Sequence, residues 1–156
     1  MKSKDEKIKE IMDHSNQFIV ICGPSGSGKS MTASYLLDSY GFIELPFLTT
    51  RELRPGEEGV GSHSLTRHEF VERGLGGTIF LGVRSYGNAY GYDLDIVYNS
   101  ALEGKRIVLE APSSYLATDV AYFLPKAILI GIIPLSTEAV ANQLFHRGLN
   151  KAPDRS

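Results

Sequence analysis

The sequence predicts an α/β fold in which helices cover both faces of a parallel β-sheet. Apolar runs of strand length alternate with segments of helical periodicity along most of the chain. The first apolar run, residues 17–22, leads directly into a glycine-rich loop and then into a helical pattern. A length of 156 residues and a hydrophobic content of 42% suit one domain with one buried core.

The N-terminal part of the chain is predicted as helix, strand, helix and strand. Residues 4–14 and 30–40 carry apolar side chains at helical spacing, so one face of each helix is apolar. Residues 17–22 and 42–45 are short apolar runs with β-branched or aromatic side chains, as in buried strands. Residues 46–64 are rich in Gly, Pro, Thr and charge, so we expect a functional loop or a small lobe there.

The middle of the chain is predicted as helix, strand, turn and helix. Residues 66–73 have helical spacing, and residues 78–83 alternate weakly in the manner of a strand. Residues 87–91, Gly-Asn-Ala-Tyr-Gly, have the composition of a turn. Residues 93–102 form an amphipathic pattern that ends before Gly104. The residues expected to be buried in this helix are Leu94, Val97 and Leu102.

The last elements continue the alternation of strand and helix. Residues 106–111 and 126–133 are apolar runs, which suit central strands of a parallel sheet. Residues 136–146 are predicted as a helix, with Ser136 as its N-cap and Glu138 in its first turn.

The composition argues against several classes of partner and compartment. A formal net charge of −2 gives no support for nucleic-acid binding. The sequence has no apolar run long enough to span a membrane, and its charged first ten residues do not resemble a secretory signal. Cys22 is the single cysteine, and we expect it to be a small core residue. We therefore expect a cytoplasmic protein without a membrane partner.

The loop after the first strand matches the phosphate-binding pattern G-x-x-x-x-G-K-[ST] without a gap. Its backbone N–H groups and the following helix dipole would bind an anion. Lys29 would contact the β- and γ-phosphates of ATP, and the Ser30 hydroxyl would be a ligand of Mg²⁺. The sequence therefore predicts ATP and Mg²⁺ as cofactors and a sheet of the P-loop NTPase type. The residues of the loop are Gly23, Pro24, Ser25, Gly26, Ser27, Gly28, Lys29 and Ser30.

A second group of polar residues follows in the segment 49–57. Arg51 and Arg54 lie three positions apart, and guanidinium groups suit bidentate phosphate binding. Their neighbours are threonines and a Pro-Gly turn, so the alternative interpretation is a solvated charged loop. Tyr90 would either donate its phenolic O–H to the same phosphate or serve as a packing residue.

Three motifs together resemble those of guanylate kinases. Gly-Pro-Ser-Gly-Ser-Gly-Lys-Ser, Thr-Thr-Arg-x-x-Arg-Pro-Gly-Glu and Gly-Asn-x-Tyr-Gly occur in the order and spacing of that family. The similarity runs from about Phe18 to Gly148. The resemblance implies a single domain with a core, an inserted lobe that binds the nucleoside monophosphate, and a truncated lid. The expected ranges are 1–156 for the domain, 17–46 and 84–148 for the core, about 47–83 for the lobe and about 147 for the start of the lid.

The resemblance also implies roles for individual side chains in phosphoryl transfer. By resemblance, Arg51, Arg54 and Tyr90 would hold the phosphate of the acceptor. Lys29 would bridge the phosphates of the donor, and Arg147 would reach the transferring group from the lid. The implied catalytic residues are Lys29, Arg51 and Arg147.

The resemblance implies one more residue at the metal. Glu110 ends a predicted strand where the family usually has an aspartate, and it would orient water bound to the Mg²⁺ held by Ser30. The alternative interpretation is a surface carboxylate at the end of a strand.

The sequence departs from the family where guanine is recognised. In the family, a serine before Thr-Thr-Arg and a glutamate ahead of the Gly-Asn turn bind the guanine edge, and the aligned residues here are Phe47 and Leu81. A leucine cannot accept the two N–H groups that a carboxylate accepts. His63 takes the place of a tyrosine of the acceptor-phosphate site. We therefore expect relaxed or redirected selectivity for the base.

Three functions follow from this pattern. The leading one is ATP-dependent phosphoryl transfer to a nucleoside monophosphate, GMP or dGMP by resemblance. Ribose 1,5-bisphosphate phosphokinases also resemble guanylate kinases and lack the guanine-reading groups, and residues 62–65 are similar to their His-containing loop. The third function is that of a non-catalytic guanylate-kinase-like binding module, against which the intact Lys29 and Ser30 argue.

Overall fold

Two four-stranded β-sheets organise the part of the chain that the computed structural model describes, residues 1–24, 26–111 and 116–149. The helices are α1 (Lys4–Asp13), α2 (Lys29–Tyr40), α3 (Arg67–Leu75), α4 (Leu94–Leu102), α5 (Leu116–Phe123) and α6 (Thr137–Leu149). The strands are β1 (Phe18–Cys22), β2 (Ile43–Glu44), β3 (Leu48–Thr49), β4 (His63–Ser64), β5 (Ile79–Ser85), β6 (Asn88–Asp93), β7 (Ile107–Ala111) and β8 (Ile128–Gly131).

The main sheet has the order β2-β7-β1-β8, and each pair of neighbouring strands is parallel. All five residues of β1 are buried, and its side chains alternate between two hydrophobic clusters. Phe18 and Val20 pack with residues of α1, α4 and α5, whereas Ile19 and Ile21 pack with Ala33 of α2. This alternation is the period of two expected of a strand that is buried on both faces. The predicted parallel sheet with helices on both faces is confirmed.

The second sheet has the order β4-β3-β6-β5, and its short strands β3 and β4 come from the segment predicted as a loop or small lobe. β3 pairs parallel with β4 and antiparallel with β6, so that Thr49 lies opposite Tyr90. The position predicted for the turn, residues 87–91, is wrong. The backbone reverses at Tyr86 and Gly87, both with positive φ, and Asn88 already belongs to β6. Pairing with strands on both sides outweighs the turn-like composition.

Two further expectations on packing are wrong. Leu102 is exposed because Leu94, Val97 and Ala101 form the buried stripe of α4, and Leu102 lies about 100° around the helix from Ala101. β8 is an edge strand of the described sheet rather than a central one, with Ile128 and Leu129 exposed. In the described residues β8 pairs only with β1, so one side of it lacks a neighbouring strand.

Other local expectations are confirmed. The backbone N–H of Ala139 donates to the side chain of Ser136, which caps α6 as expected. Gly104 follows the end of α4 with a positive φ, and Cys22 is a free, buried thiol. Among the helices of the described chain, none combines the length and the apolar character needed to cross a bilayer.

The packing of α1 against the main sheet can be tested at Ile11, which is fully buried. Ile11→Ala removes apolar contacts and leaves a cavity, so the free energy of unfolding should fall by about 2–5 kcal/mol in urea titrations. Val71→Ala is the matched control, because Val71 is exposed on α3 and its truncation should change stability by less than about 0.5 kcal/mol. Equal effects of the two substitutions would contradict the described core.

Candidate active site

A cleft of about 540 Å³ opens at the carboxyl ends of the main-sheet strands, where the second sheet meets them. Ligands collect at this edge in parallel α/β sheets. The cleft is lined by residues of the predicted phosphate-binding loop and by residues of the predicted acceptor site. The lining residues that are polar, or that were predicted as site residues from the sequence, include Gly26, Gly28, Lys29, Ser30, Glu44, Phe47, Arg51, Arg54, Glu57, Leu81, Tyr90 and Glu110.

The glycine-rich loop joins β1 to α2 and turns sharply at two glycines. Gly26 and Gly28 have φ of +75° and +99°, a region that favours residues without a side chain. Gly28 is also the N-cap of α2, so the helix begins at Lys29 with its first N–H groups at the cleft. The Lys29 ammonium group donates to the carbonyl oxygens of Gly23 and Pro24 at 2.7 and 3.0 Å. Ser25 lies outside the described residues.

Ser30 and Glu110, the two predicted metal ligands, are in direct contact. The Ser30 hydroxyl donates to Glu110 Oε1 at 3.1 Å, although the residues are 80 positions apart. The parallel register of β1 and β7, in which Cys22 lies opposite Ala111, brings them together. Neighbouring ligands of an octahedral Mg²⁺ at 2.0–2.1 Å are about 2.9 Å apart, so these two oxygens fit such an ion. The described residues contain no group of three His, Cys, Asp or Glu side chains that would hold a metal by themselves.

Glu44 is a cleft residue that the sequence analysis missed. It lies on β2, next to β7, and it lines the cleft together with Glu110. Partial removal from water raises the pKa of Glu44 to about 7, with further contributions from Glu110 and from the charge of Glu57. One feature of the sequence could have pointed to Glu44 as a site residue. It is a charged residue in the otherwise apolar run Phe42-Ile43-Glu44-Leu45, which was predicted as a strand.

Arg51 is held by an ion pair inside the cleft. Its two terminal nitrogens donate to the two carboxylate oxygens of Glu57 at 3.0 and 2.9 Å, and the Arg54 backbone N–H donates to the same carboxylate. Burial opposes the charged form of both side chains, but their mutual hydrogen bonds and charges outweigh it. The pKa of Glu57 is therefore lowered and the pKa of Arg51 is raised. The sequence alone did not predict this role of Glu57.

Two aromatic rings lie next to the Arg51 guanidinium and further restrict its orientation. Its central carbon lies 5.4 Å from the centre of the Phe47 ring and 5.8 Å from that of Tyr90. Phe47 and Tyr90 are half-buried and both line the cleft. The structure thus brings together Arg51, Phe47 and Tyr90, three of the residues predicted to form the acceptor site.

The hydroxyls of two threonines organise the arginine loop, and that of Thr50 connects it to the strand that carries Tyr90. The Thr50 hydroxyl accepts from the Ala89 N–H at 2.9 Å and donates to the Asn88 side-chain oxygen at 3.2 Å. The Thr49 hydroxyl, which is fully buried, accepts from the Arg51 N–H at 3.2 Å. The Thr50 bonds thus join the Thr-Thr-Arg segment to the Gly-Asn-Ala-Tyr-Gly segment.

The wall of the cleft at the position expected to read the base is apolar. Leu81 is 93% buried and has a φ of +53°, within the irregularity of β5 between Phe80 and Val83. Leu81, Phe47 and Val83 all line the cleft. A positive φ strains a branched residue by about 1–3 kcal/mol, so the surrounding strand pairing must hold Leu81 in this conformation.

His63, which was predicted as part of the acceptor site, does not line this cleft. His63 is exposed on β4 and lines a separate hollow with Glu52 and Glu58. Adjacent residues of an extended strand point in opposite directions. The Ser62 hydroxyl accepts from the Phe47 N–H and the Ser64 hydroxyl donates to the Arg51 carbonyl, so His63 projects away from the arginine loop. The side chain of Arg147 lies outside the described part of α6.

Comparisons with known proteins identify relatives of the whole described core. The chain is 36% identical over 140 residues to a guanylate kinase of Pseudomonas fluorescens strain Pf0-1, covering 88% of this chain and 68% of the relative. It is 34% identical over 138 residues to a guanylate kinase of Clostridium perfringens strain 13, covering 87% and 63%. No protein-family model matches the sequence.

A solved structure supports the fold. The crystal structure of guanylate kinase from Anaplasma phagocytophilum superposes with a TM-score of 0.66 at 24% identity, over 81% of this chain and 64% of that chain. The chain spans roughly two thirds of the length of each of these three proteins.

The raised pKa of Glu44 predicts a pH dependence of stability. Because the folded-state pKa of about 7 exceeds the ordinary value of 4.5, the folded state binds a proton more tightly than the unfolded chain. The free energy of unfolding, measured by urea titration with EDTA present, should therefore fall as pH rises from 4.5 to 7 and level off above.

A glutamine substitution isolates this contribution. Glu44→Gln should lose much of the pH dependence in that window, whereas Glu103→Gln, in which the replaced residue pairs with Lys105 outside the cleft, should follow the wild type. Parallel curves for the wild type and Glu44→Gln would contradict the raised pKa of Glu44.

Proposed function

The chain belongs to the guanylate kinase family, and we propose that it transfers the γ-phosphoryl group of ATP to a nucleoside monophosphate, with GMP and dGMP as the first acceptors to consider. One observation carries the proposal. The glycine loop with Lys29 and the arginine loop with Arg51 line the same cleft of about 540 Å³. Phosphoryl transfer requires this arrangement, because donor and acceptor phosphates must meet in line.

The donor side of the cleft would hold the triphosphate of ATP. The N–H groups at the start of α2 and the helix dipole attract an anion, and the glycines at 26 and 28 let phosphate oxygens approach the backbone. Lys29, which in the present structure donates to two loop carbonyls, would exchange these bonds for phosphate oxygens. Its charge would then neutralise the oxygens of the group in transfer.

The acceptor side would hold the monophosphate at Arg51, Arg54 and Tyr90. Glu57 fixes the plane of the Arg51 guanidinium through two hydrogen bonds, so the side chain is oriented before a ligand arrives. Tyr90 lies beside that guanidinium and lines the cleft. Arg54 would contribute to the same phosphate site, because it also lines the cleft.

Magnesium fits the pair formed by Ser30 and Glu110. A serine hydroxyl and one or two carboxylates, together with substrate phosphates and water, are the ligands that Mg²⁺ takes in such sites. When bound, Mg²⁺ would offset negative charge on the phosphates during transfer. Ser30 would contribute its hydroxyl and Glu110 its carboxylate, while Arg147 would act from the lid as the resemblance implies.

A second acceptor class is favoured by the apolar wall. Leu81 and Phe47 stand where guanine-binding polar groups are expected, and neither accepts the N–H groups of guanine. Ribose 1,5-bisphosphate has a phosphate for the arginine loop and no base to be read. It is therefore the alternative acceptor, and direct comparison of acceptors distinguishes the two.

A coupled assay of ADP release tests the proposal across GMP, dGMP, AMP, CMP, UMP, dTMP and ribose 1,5-bisphosphate. At least one nucleoside monophosphate should stimulate ADP release above ATP hydrolysis alone. Lys29→Ala should lower the stimulated rate by at least about a hundredfold with an unchanged unfolding transition, because a charge at the transferring group is lost. Lys105→Ala, outside the cleft, is the control and should leave the rate unchanged.

Stimulation by ribose 1,5-bisphosphate alone would assign the alternative activity. Stimulation by none of these acceptors would remove the kinase proposal.

Base selection can be tested at Leu81. Leu81→Glu restores a carboxylate able to accept two guanine N–H groups, so kcat/KM for GMP should rise at least about tenfold relative to AMP. Leu81→Gln is the matched control of the same shape, and it should give a smaller gain because its amide presents only one acceptor oxygen. An unchanged GMP-to-AMP ratio in Leu81→Glu would show that residue 81 does not face the base.

A further inference from the structure

We propose that Glu44 supplies a second carboxylate to the divalent cation that accompanies ATP, next to Ser30 and Glu110. The inference rests on the proposed function, because it concerns the cation of the same phosphoryl-transfer site. It adds a ligand from β2, an element that neither the motifs nor the resemblance connect with the metal.

The strand register places Glu44 and Glu110 on the same side of the main sheet. β2 and β7 are parallel neighbours, and Glu44 lies opposite Val108. Residues opposite one another in a sheet, and residues two apart along a strand, project from the same face. Glu44, Val108 and Glu110 therefore share a face. Val108 packs against Ala33, so this is the face covered by α2.

The contacts among the three side chains follow from this placement. The Ser30 hydroxyl, in the first turn of α2, donates to Glu110, and Glu44 lies on the neighbouring strand β2 on the same face as Glu110. Oxygen ligands from α2, β7 and β2 are thus contiguous at the end of the glycine loop. All three residues line the cleft in which Lys29 also lies.

The oxygen atoms of Ser30, Glu44 and Glu110 are of the kind that binds Mg²⁺ together with a nucleotide. Mg²⁺ keeps several waters and is bound by one or two carboxylates together with phosphate oxygens. Two carboxylates held close together in one cleft repel each other when both are ionised. A divalent cation shared between them would remove that repulsion. Phosphates bound at the adjacent glycine loop would supply further ligands to the cation.

Mn²⁺ binding measured by electron paramagnetic resonance tests this assignment on the full chain. Mn²⁺ is titrated in the presence of the non-hydrolysable ATP analogue AMP-PNP. Glu44→Gln should weaken Mn²⁺ binding at least about tenfold, which is the range found when groups around a metal are removed. The affinity for AMP-PNP in EDTA, without any metal, should stay unchanged.

Two further variants separate a ligand from a structural residue. Glu44→Asp keeps the carboxylate and should retain most of the Mn²⁺ affinity. Glu103→Gln replaces a glutamate paired with Lys105 outside the cleft and should bind Mn²⁺ like the wild type. In metal-free buffer Glu44→Gln should unfold at the wild-type temperature or higher, because it removes one of two like charges.

The outcomes distinguish this inference from the proposed function. Wild-type Mn²⁺ affinity in Glu44→Gln, together with weakened binding in Glu110→Gln, would overturn the role of Glu44 and leave the kinase site intact. Equal loss of Mn²⁺ affinity in Glu44→Asp and Glu44→Gln would also overturn it, since the carboxylate would then not be what matters. Failure of the wild type to bind AMP-PNP would instead remove the proposed function.

Discussion

The parallel register of the main sheet is the constraint on which the site depends. β1 and β7 pair from Phe18 with Ile107 to Cys22 with Ala111, so both strands end at the same edge. The loop after β1 turns into α2 at that edge, and Glu110 reaches Ser30 from the end of β7. A shift of one residue in this pairing would turn Glu110 to the opposite face, because side chains alternate along a strand. The apolar core on both faces fixes the register, so packing in the core determines the geometry of the polar site.

A second set of interactions assembles the acceptor side. Thr50 bonds to Asn88 and Ala89 and thereby joins the arginine loop to the strand that contains Tyr90. Glu57 then holds Arg51 in one orientation between Phe47 and Tyr90. The polar groups are thus positioned by neighbours before any substrate binds, which reduces the ordering required on binding.

Local sequence patterns predicted the donor side better than the acceptor side. The motif from Gly23 to Ser30 is contiguous, so its loop and helix could be located from the sequence alone. The parallel sheet followed from the order of apolar runs, whereas the role of Glu110 was implied by the resemblance to guanylate kinases. Glu44 and Glu57 were missed because their significance comes from contacts between separate elements. His63 lies outside the cleft because strand alternation turns it outward, a consequence of the pairing of β4 with β3 that the motif spacing does not show. The turn expected at residues 87–91 failed for a similar reason, because pairing with β3 and β5 is non-local.

The central claim is that one cleft holds the phosphates of donor and acceptor together. A crystal structure of the chain with AMP-PNP, Mg²⁺ and the most active acceptor of the panel tests it most directly. We expect the triphosphate at the amides of the glycine loop with Lys29, and the acceptor phosphate at Arg51 in the same cleft. An acceptor phosphate bound outside this cleft, or a triphosphate that makes no contact with Lys29, would contradict the account.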